Sequence, residues 1–226
     1  MILIVIFVVV LAAIALPGIW AKHILSKHRI TDGTLQGTGG ELAEHLISRF
    51  QLNPVALEET KLGDHYDPEA RCVRLTTENL SGQSLTAVAT AAHEVGHALQ
   101  HQTGYKPLLL RTRLVKVAMA MEKVGSVAML LSPVAMLLTK NPAIGMLLLG
   151  AALLSMLTMT VVHLVTLPVE FNASFGRALP ILREGYLSPE QLKIAEKILL
   201  ACALTYLAQS LMSLLNLGRW LAVLRR

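Results

Sequence analysis

The sequence predicts a mainly α membrane protein that carries an inserted small α+β domain. Hydrophobic residues make up 54% of the 226-residue chain, and charged residues make up only 15%. Ordinary soluble domains carry about 25% charged residues, so this composition favours a membrane protein. Residues 22–113 are more polar than the sequence on either side, which predicts one domain outside the bilayer.

Apolar runs along the chain predict about four membrane helices. A helix needs roughly 20 apolar residues to cross a bilayer core about 30 Å thick. Residues 1–21 fit that length and lack the basic start and cleavage site of a signal peptide, so they predict a retained N-terminal transmembrane helix. Residues 114–167 predict a membrane helical hairpin, and residues 198–226 predict a C-terminal transmembrane helix. The run 124–139 is short for a crossing, so whether it spans fully stays open.

The distribution of basic residues predicts how the chain is oriented in the cell membrane. The hairpin would return residues 168–197 to the side that holds residues 22–113, and these two stretches contain most of the lysines and arginines. Because basic residues concentrate in cytoplasmic loops, a multi-pass protein with its polar domain in the cytoplasm is expected. Arg225 and Arg226, on the opposite side in this topology, run against that rule.

Local patterns within the polar domain predict a helix, two strands and a second helix. Thr38 and Glu41 have the spacing of a capping box, which starts the first helix. Residues 55–62 and 71–76 have the composition of short strands and are expected to pair as a hairpin. The second helix is expected over residues 84–102. An exposed strand edge beside that helix would suit the binding of an extended peptide.

The second helix contains the motif HEVGH at residues 93–97. Four residues separate His93 from His97, so on an α-helix they lie about 40° apart around the axis and roughly 6 Å apart along it. This spacing lets two imidazole nitrogens reach one zinc ion, while Glu94 is placed to take a proton from a water molecule. The pattern alone fixes few residues, and a helix whose histidines are merely hydrogen-bonded is the alternative.

A third ligand is expected because catalytic zinc sites commonly use three protein side chains. His101 lies roughly 12 Å along the helix from His93, which is too far for one ion to bridge. His65 stays open as a ligand, a transition-state donor or a turn residue. Glu170 directly follows an apolar run, where a carboxylate is costly unless it is paired or bound to a cation. Glu170 is therefore the preferred candidate.

The chain resembles the YugP-type neutral zinc metallopeptidases, also called the membrane Zn-dependent peptidase family 2. The shared motifs are DHYDP at 64–68, VRL at 73–75, AAHEVGHALQH at 91–101, TGY at 103–105 and LPVEF at 167–171. This resemblance implies a minigluzincin-like domain that holds one Zn²⁺ ion. It also implies that His93, His97 and Glu170 ligate the ion and that Glu94 is the general base. Asn172 departs from the family pattern, which has an aspartate that would orient a ligating histidine.

The expected function is a membrane-bound zinc metalloendopeptidase whose third-ligand segment lies at 168–197. His65, Tyr66 and Tyr105 are candidates for stabilising the transition state, with Asn172 beside the metal ligands. The partners expected are a peptide or protein substrate and the lipid bilayer, with a membrane-protein partner or a homo-oligomer left open. An inactive, zinc-stabilised scaffold or adaptor is the main alternative.

Two other function classes are disfavoured. Aromatic residues make up only 4% of the chain and its basic residues are dispersed, which argues against a nucleic-acid partner. A transporter is disfavoured because the apolar runs hold few ionisable residues and show no internal repeat.

Overall fold

The computed structural model describes residues 2–31 and 33–205 of the chain. This part is mainly helical and contains one three-stranded sheet. The elements are α1 (Ile2–Lys27), α2 (Gly39–Arg49), β1 (Ala56–Thr60), β2 (His65–Asp67), β3 (Cys72–Thr76), α3 (Thr77–Leu80), α4 (Leu85–Gln102), α5 (Lys106–Thr139), α6 (Pro142–Phe171), a π-helical segment (Asn172–Ala178) and α7 (Leu179–Arg183). A further helix, α8, covers residues 189–205 of the described chain.

The chain divides into two compact units. The first contains the described residues of 1–15 together with 110–166. The second contains residues 16–109 and 167–205, so it holds the sheet, α2, α4 and the π-helical segment. All side chains of the candidate site belong to this second unit.

The prediction of four membrane helices is wrong for the described residues, and the structure gives the multi-pass topology no support. Across residues 2–31 and 33–205, no helix combines the length and the apolar character that a membrane crossing requires. α5 illustrates the physical reason, because the apolar run 124–139 is only the second half of a continuous helix. Its first half carries Lys106, Arg111, Arg113, Lys116, Glu122 and Lys123. Most of the predicted C-terminal transmembrane helix, residues 206–226, lies outside the described residues.

Polar caps begin α2 and α4, and the cap of α2 is the capping box that the sequence predicts. At α2, the Thr38 hydroxyl accepts a hydrogen bond from the Glu41 N–H, and the Glu41 carboxylate accepts one from the Thr38 N–H. The Ser84 side chain accepts from the Ala87 N–H and so begins α4 one residue after Ser84. Gly104 follows the end of α4 with a φ of +63°, a conformation that glycine adopts without strain.

The sheet differs from the predicted hairpin. β1 pairs with β3 in parallel, and β2 pairs with β3 in antiparallel fashion, so the strand order is β1-β3-β2. The segment expected to be a simple turn contains β2 itself. The tight connection instead joins β2 to β3, where the Asp67 carboxylate accepts hydrogen bonds from the Glu69 and Ala70 N–H groups.

Helix α4 lies at the centre of the second unit. Every residue from 85 to 100 is buried, and small residues allow neighbouring backbones to approach closely. At Gly96, an added Cβ atom would lie 2.8 Å from the Ala173 carbonyl oxygen of the π-helical segment. Glycine at this position therefore lets α4 and the π-helical segment pack backbone to backbone.

Residues 170–185, which lie in the predicted third-ligand segment, are mostly helical. α6 continues to Phe171, and the π-helical segment and α7 follow without a break. The sequence does not indicate this continuous run of helix, because a proline such as Pro168 normally disfavours helix continuation. Single π-helical turns within longer helices often occur at functional sites, and this one adjoins the cluster described next.

Candidate metal centre

His93, His97 and Glu170 form a buried cluster between α4 and α6. Their candidate ligand atoms all lie within 4.8 Å of one another, and all three residues are buried. The Glu170 Oε2 atom lies 3.2 Å from the Nε2 atom of His93 and 3.2 Å from the Nε2 atom of His97. The structure thus brings together the three side chains that the sequence predicted to share a metal ion.

The outer ring nitrogen of His93 has a hydroxyl partner. The Ser174 Oγ atom lies 2.9 Å from His93 Nδ1, and the same hydroxyl donates a hydrogen bond of 2.8 Å to the Leu199 carbonyl oxygen of α8. A carbonyl oxygen can only accept, so the Ser174 proton is used there and the hydroxyl must accept from a proton on Nδ1. Neutral His93 therefore presents its Nε2 lone pair to the cluster.

Charge in the cluster favours a cation. Burial alone would raise the pKa of Glu170, but the charge of His97 and the contacts with both imidazoles outweigh burial and hold the pKa well below its usual range. This lowering requires positive charge beside Glu170. When both imidazoles are neutral, a bound cation must supply that charge, because the carboxylate oxygen and the His93 lone pair are both acceptors. Two imidazoles and one carboxylate form a common zinc donor set, so the side chains present fit this ion.

Glu94 completes the motif on α4. Its side chain is buried, 7% exposed, and belongs to the residue that directly follows His93. Cys202 of α8 lies within the electrostatic reach of this carboxylate. Burial raises the pKa of the Cys202 thiol, and the charge of Glu94 raises it further. The thiol is therefore protonated in the metal-free protein.

His101 lies outside the cluster, as its distance along α4 predicts. Its Nδ1 atom is 2.8 Å from the Tyr66 hydroxyl oxygen, and the two rings meet edge to face. Burial lowers the pKa of His101, and the positive charge of Arg71 lowers it further. Burial also raises the pKa of Tyr66 to about 12. The pair therefore ties β2 to the end of α4 in neutral form.

The other predicted residues occupy different positions. His65 of β2 has its Nδ1 atom 2.8 Å from the Gly63 carbonyl oxygen, which can only accept, so neutral His65 carries no proton on Nε2. The main chain of Tyr105 donates to the Gln100 carbonyl oxygen beyond the end of α4. The Asn172 carboxamide oxygen accepts a hydrogen bond of 2.9 Å from Gln100.

Sequence reasoning missed Ser174 and Gln100. Gln100 lies 3.0 Å from His97 Nδ1, the counterpart of the Ser174 contact with His93. Spacing contained a signal for both residues. Ser174 follows Glu170 by four positions and Gln100 follows His97 by three, so each shares a helix face with a predicted ligand.

The fold thus places a buried set of possible metal ligands beside the buried Glu94 carboxylate. The family described as "Putative neutral zinc metallopeptidase" matches residues 1–225 of the chain. The chain is also 37% identical over 219 residues to "Putative membrane protease YugP" of Bacillus subtilis (strain 168), covering 94% of this chain and 93% of the relative. No solved structure matches the chain.

The chain belongs to the neutral zinc metallopeptidase family. This confirms the resemblance seen in the motifs, and it confirms zinc as the cofactor. A peptidase family implies a peptide or protein as the substrate.

Proposed function

We propose that this protein is a zinc metalloendopeptidase in which His93, His97 and Glu170 hold the ion and Glu94 is the general base. The observation that carries the proposal is the convergence of three ligand atoms within 4.8 Å. A purely structural metal site needs no acid beside its ligands, whereas hydrolysis does. The buried Glu94 next to His93 therefore favours catalysis over a scaffold role.

Glu94 and Glu170 have different roles in the proposed hydrolysis. Zinc, when bound, supplies a Lewis acid that lowers the pKa of water and polarises a carbonyl group. Glu94 accepts the proton of the attacking water and delivers it to the leaving nitrogen of the cleaved peptide bond. The ionised Glu170 carboxylate supplies negative charge to the ligand set. The closed packing around α4 excludes bulk water from these groups.

The substrate is proposed to bind along β2. This strand is at an edge of the sheet, so its outer backbone groups can pair with an extended peptide. The hydrogen bond between Tyr66 and His101 fixes β2 against α4, the helix that carries the cluster. His65 lies on the same strand and can donate a hydrogen bond through Nε2 only when it is protonated. We propose His65 rather than Tyr105 as the residue closest to the substrate backbone.

Action at a membrane is also proposed. The Bacillus relative is named a membrane protease, and α5 and α6 each expose large apolar side chains to an extent that is unusual for a surface in contact with water. The most exposed are Leu130, Leu137, Leu138 and Leu147, at 74%, 79%, 77% and 75%. Flotation of the purified protein with liposomes tests this association. Self-association without lipid binding would contradict it and would indicate an oligomer instead.

The replacement of Glu94 by glutamine tests the catalytic proposal. Glutamine has nearly the same size but does not accept a proton, so Glu94→Gln should retain zinc and lose peptide cleavage by several orders of magnitude. The measurement combines zinc content with cleavage of a casein or peptide library. Glu44→Gln, on the exposed side of α2, is the matched control and should cleave normally. A Glu94→Gln protein that cleaves like the parent would leave only the scaffold role.

A further inference from the structure

Gln100 is a buried amide at the contact between α4 and α6. Its side chain is 0% exposed, and both ends of the carboxamide are used. The Oε1 atom lies 3.0 Å from His97 Nδ1. The Nε2 atom donates hydrogen bonds of 2.8 Å to the Val169 carbonyl oxygen and 2.9 Å to the Asn172 side-chain oxygen. Gln100 thus connects one predicted zinc ligand to the helix that carries another.

The Val169 carbonyl determines which way the Gln100 amide faces. A backbone carbonyl oxygen can only accept hydrogen bonds, so the group opposite it must be the NH₂ end of the amide. The oxygen end is then the one that faces His97. A reversed amide would bring two oxygen atoms together at Val169 and would leave a buried carbonyl group without a donor.

The direction of the amide in turn determines the protonation of His97. Because Oε1 can only accept, the shared proton must lie on His97 Nδ1, and neutral His97 directs its Nε2 lone pair at Glu170. If the amide were reversed, its NH₂ group would donate to Nδ1. The imidazole proton would then lie on Nε2, and no lone pair would be left for a metal ion.

We propose that Gln100 is a positioning residue that fixes the zinc-binding tautomer of His97 through the carbonyl oxygen of Val169. Asn172 supplies a second acceptor for the same NH₂ group and so reinforces this orientation of the Gln100 amide. The inference rests on the proposed function because it assigns a role toward the zinc ligands. It adds that Val169, the residue before Glu170 on α6, acts on His97 only through its backbone carbonyl group and Gln100.

The test replaces Gln100 by methionine, which has a similar length and no hydrogen-bonding group of comparable strength. Partners of this kind change metal affinity by about 10–100-fold, so Gln100→Met should weaken zinc binding in that range in competition with a chromophoric chelator. Gln102→Met is the matched control, because Gln102 is on the same helix and donates to the Gln51 carbonyl oxygen rather than to a residue of the cluster. Its zinc affinity should match that of the parent.

A second measurement uses the metal-free parent, so it does not depend on the stability of a variant. Nitrogen NMR of ¹⁵N-histidine-labelled protein at pH 8 distinguishes the two neutral tautomers, and His97→Gln assigns the resonance. We expect His97 to carry its proton on Nδ1 in the parent and to show a mixture of tautomers in Gln100→Met. A merely structural role predicts a lower Tm with unchanged tautomer and unchanged zinc affinity.

The outcomes separate this inference from the proposed function. If the parent binds zinc and Gln100→Met binds it equally well, or if His97 carries its proton on Nε2 in the metal-free parent, the role of Gln100 is overturned while the zinc site stands. If the parent binds no zinc although His97 has the expected tautomer, the positioning by Gln100 stands and the proposed function fails.

Discussion

The histidines of α4 lie in two environments with different hydrogen-bonding partners. His93, His97 and His101 follow one another at intervals of four residues on α4, so each neighbouring pair has the same helical spacing. His93 and His97 are buried and both contact the Glu170 carboxylate. His101 is partly exposed and bonds to the Tyr66 hydroxyl group. We refer to these environments as the Glu170 cluster and the Tyr66 pair.

The charge opposite each imidazole explains the difference. A carboxylate faces the two histidines of the Glu170 cluster, so a cation is stabilised there. The charge that lowers the pKa of His101, after burial itself, is that of Arg71, so a cation is disfavoured in the Tyr66 pair. Distance along the helix already separates His101 from the other two histidines, and the opposing charges favour a cation only at the Glu170 cluster.

Glu170→Ala should have the largest effect on the difference between the Glu170 cluster and the Tyr66 pair. It removes the carboxylate from the cluster and leaves two buried imidazoles without an opposing negative charge. Zinc affinity should fall by more than about a hundredfold, the upper range for partners that do not touch the metal. Mass spectrometry of the purified protein measures the zinc content. Glu184→Ala, which removes an exposed partner of Arg49, is the control and should retain zinc.

Ser174→Ala tests the His93 side of the cluster. Without the hydroxyl, His93 Nδ1 loses its acceptor and the imidazole is free to turn or change tautomer. Zinc affinity should fall about 10–100-fold, measured by chelator competition. Ser81→Ala removes an exposed hydroxyl that bonds only locally to the Thr77 carbonyl oxygen and should leave affinity unchanged. Equal affinities for both variants would show that Ser174 does not position His93.

Gly96→Ala tests the close packing that brings the cluster together. The new methyl group would lie 2.8 Å from the Ala173 carbonyl oxygen, so α4 and the π-helical segment must separate. The free energy of unfolding should fall by about 1–3 kcal/mol, measured in urea. Gly150→Ala is the matched control, since an added Cβ meets no atom within 4 Å. A Gly96→Ala protein as stable as that control would contradict the packing argument.

The smallest expected effect concerns the pH response of the Tyr66 pair. The pKa of His101 in the folded protein is below the ordinary value of 6.5, so the unfolded chain takes up this proton first. The contribution of His101 to stability is therefore complete above pH 6.5 and is lost as the pH falls below it. Tm measured from pH 7.5 to 5 should fall less in His101→Gln than in the parent. Identical slopes would remove His101 from this response.

The sequence predicted the centre of the site better than its surroundings. Helix periodicity placed His93, Glu94 and His97, and the same periodicity excluded His101. Spacing places Ser174 and Gln100 on the helix faces of predicted ligands, but their hydrogen-bonding roles depend on carbonyl groups of Leu199 and Val169. Those carbonyls come from helices far away in the chain, and backbone groups leave no sequence signal.

The errors in the fold also have physical causes. Strand composition identified β1 and β3, but composition does not determine whether two strands pair in parallel or antiparallel, and the short β2 was hidden in a turn-rich segment. The membrane prediction counted apolar residues in runs. In α5 the apolar run 124–139 is shorter than the roughly 20 residues that a crossing needs, and charged residues precede it on the same helix.

X-ray absorption at the zinc edge tests the central claim most directly. With one equivalent of zinc, the account predicts two imidazole ligands together with oxygen ligands at about 2.0–2.2 Å, and an unchanged spectrum in His101→Ala. A third imidazole that disappears in His101→Ala would contradict it. So would a sulfur ligand at about 2.3 Å, which would place Cys202 on the metal in place of Glu170.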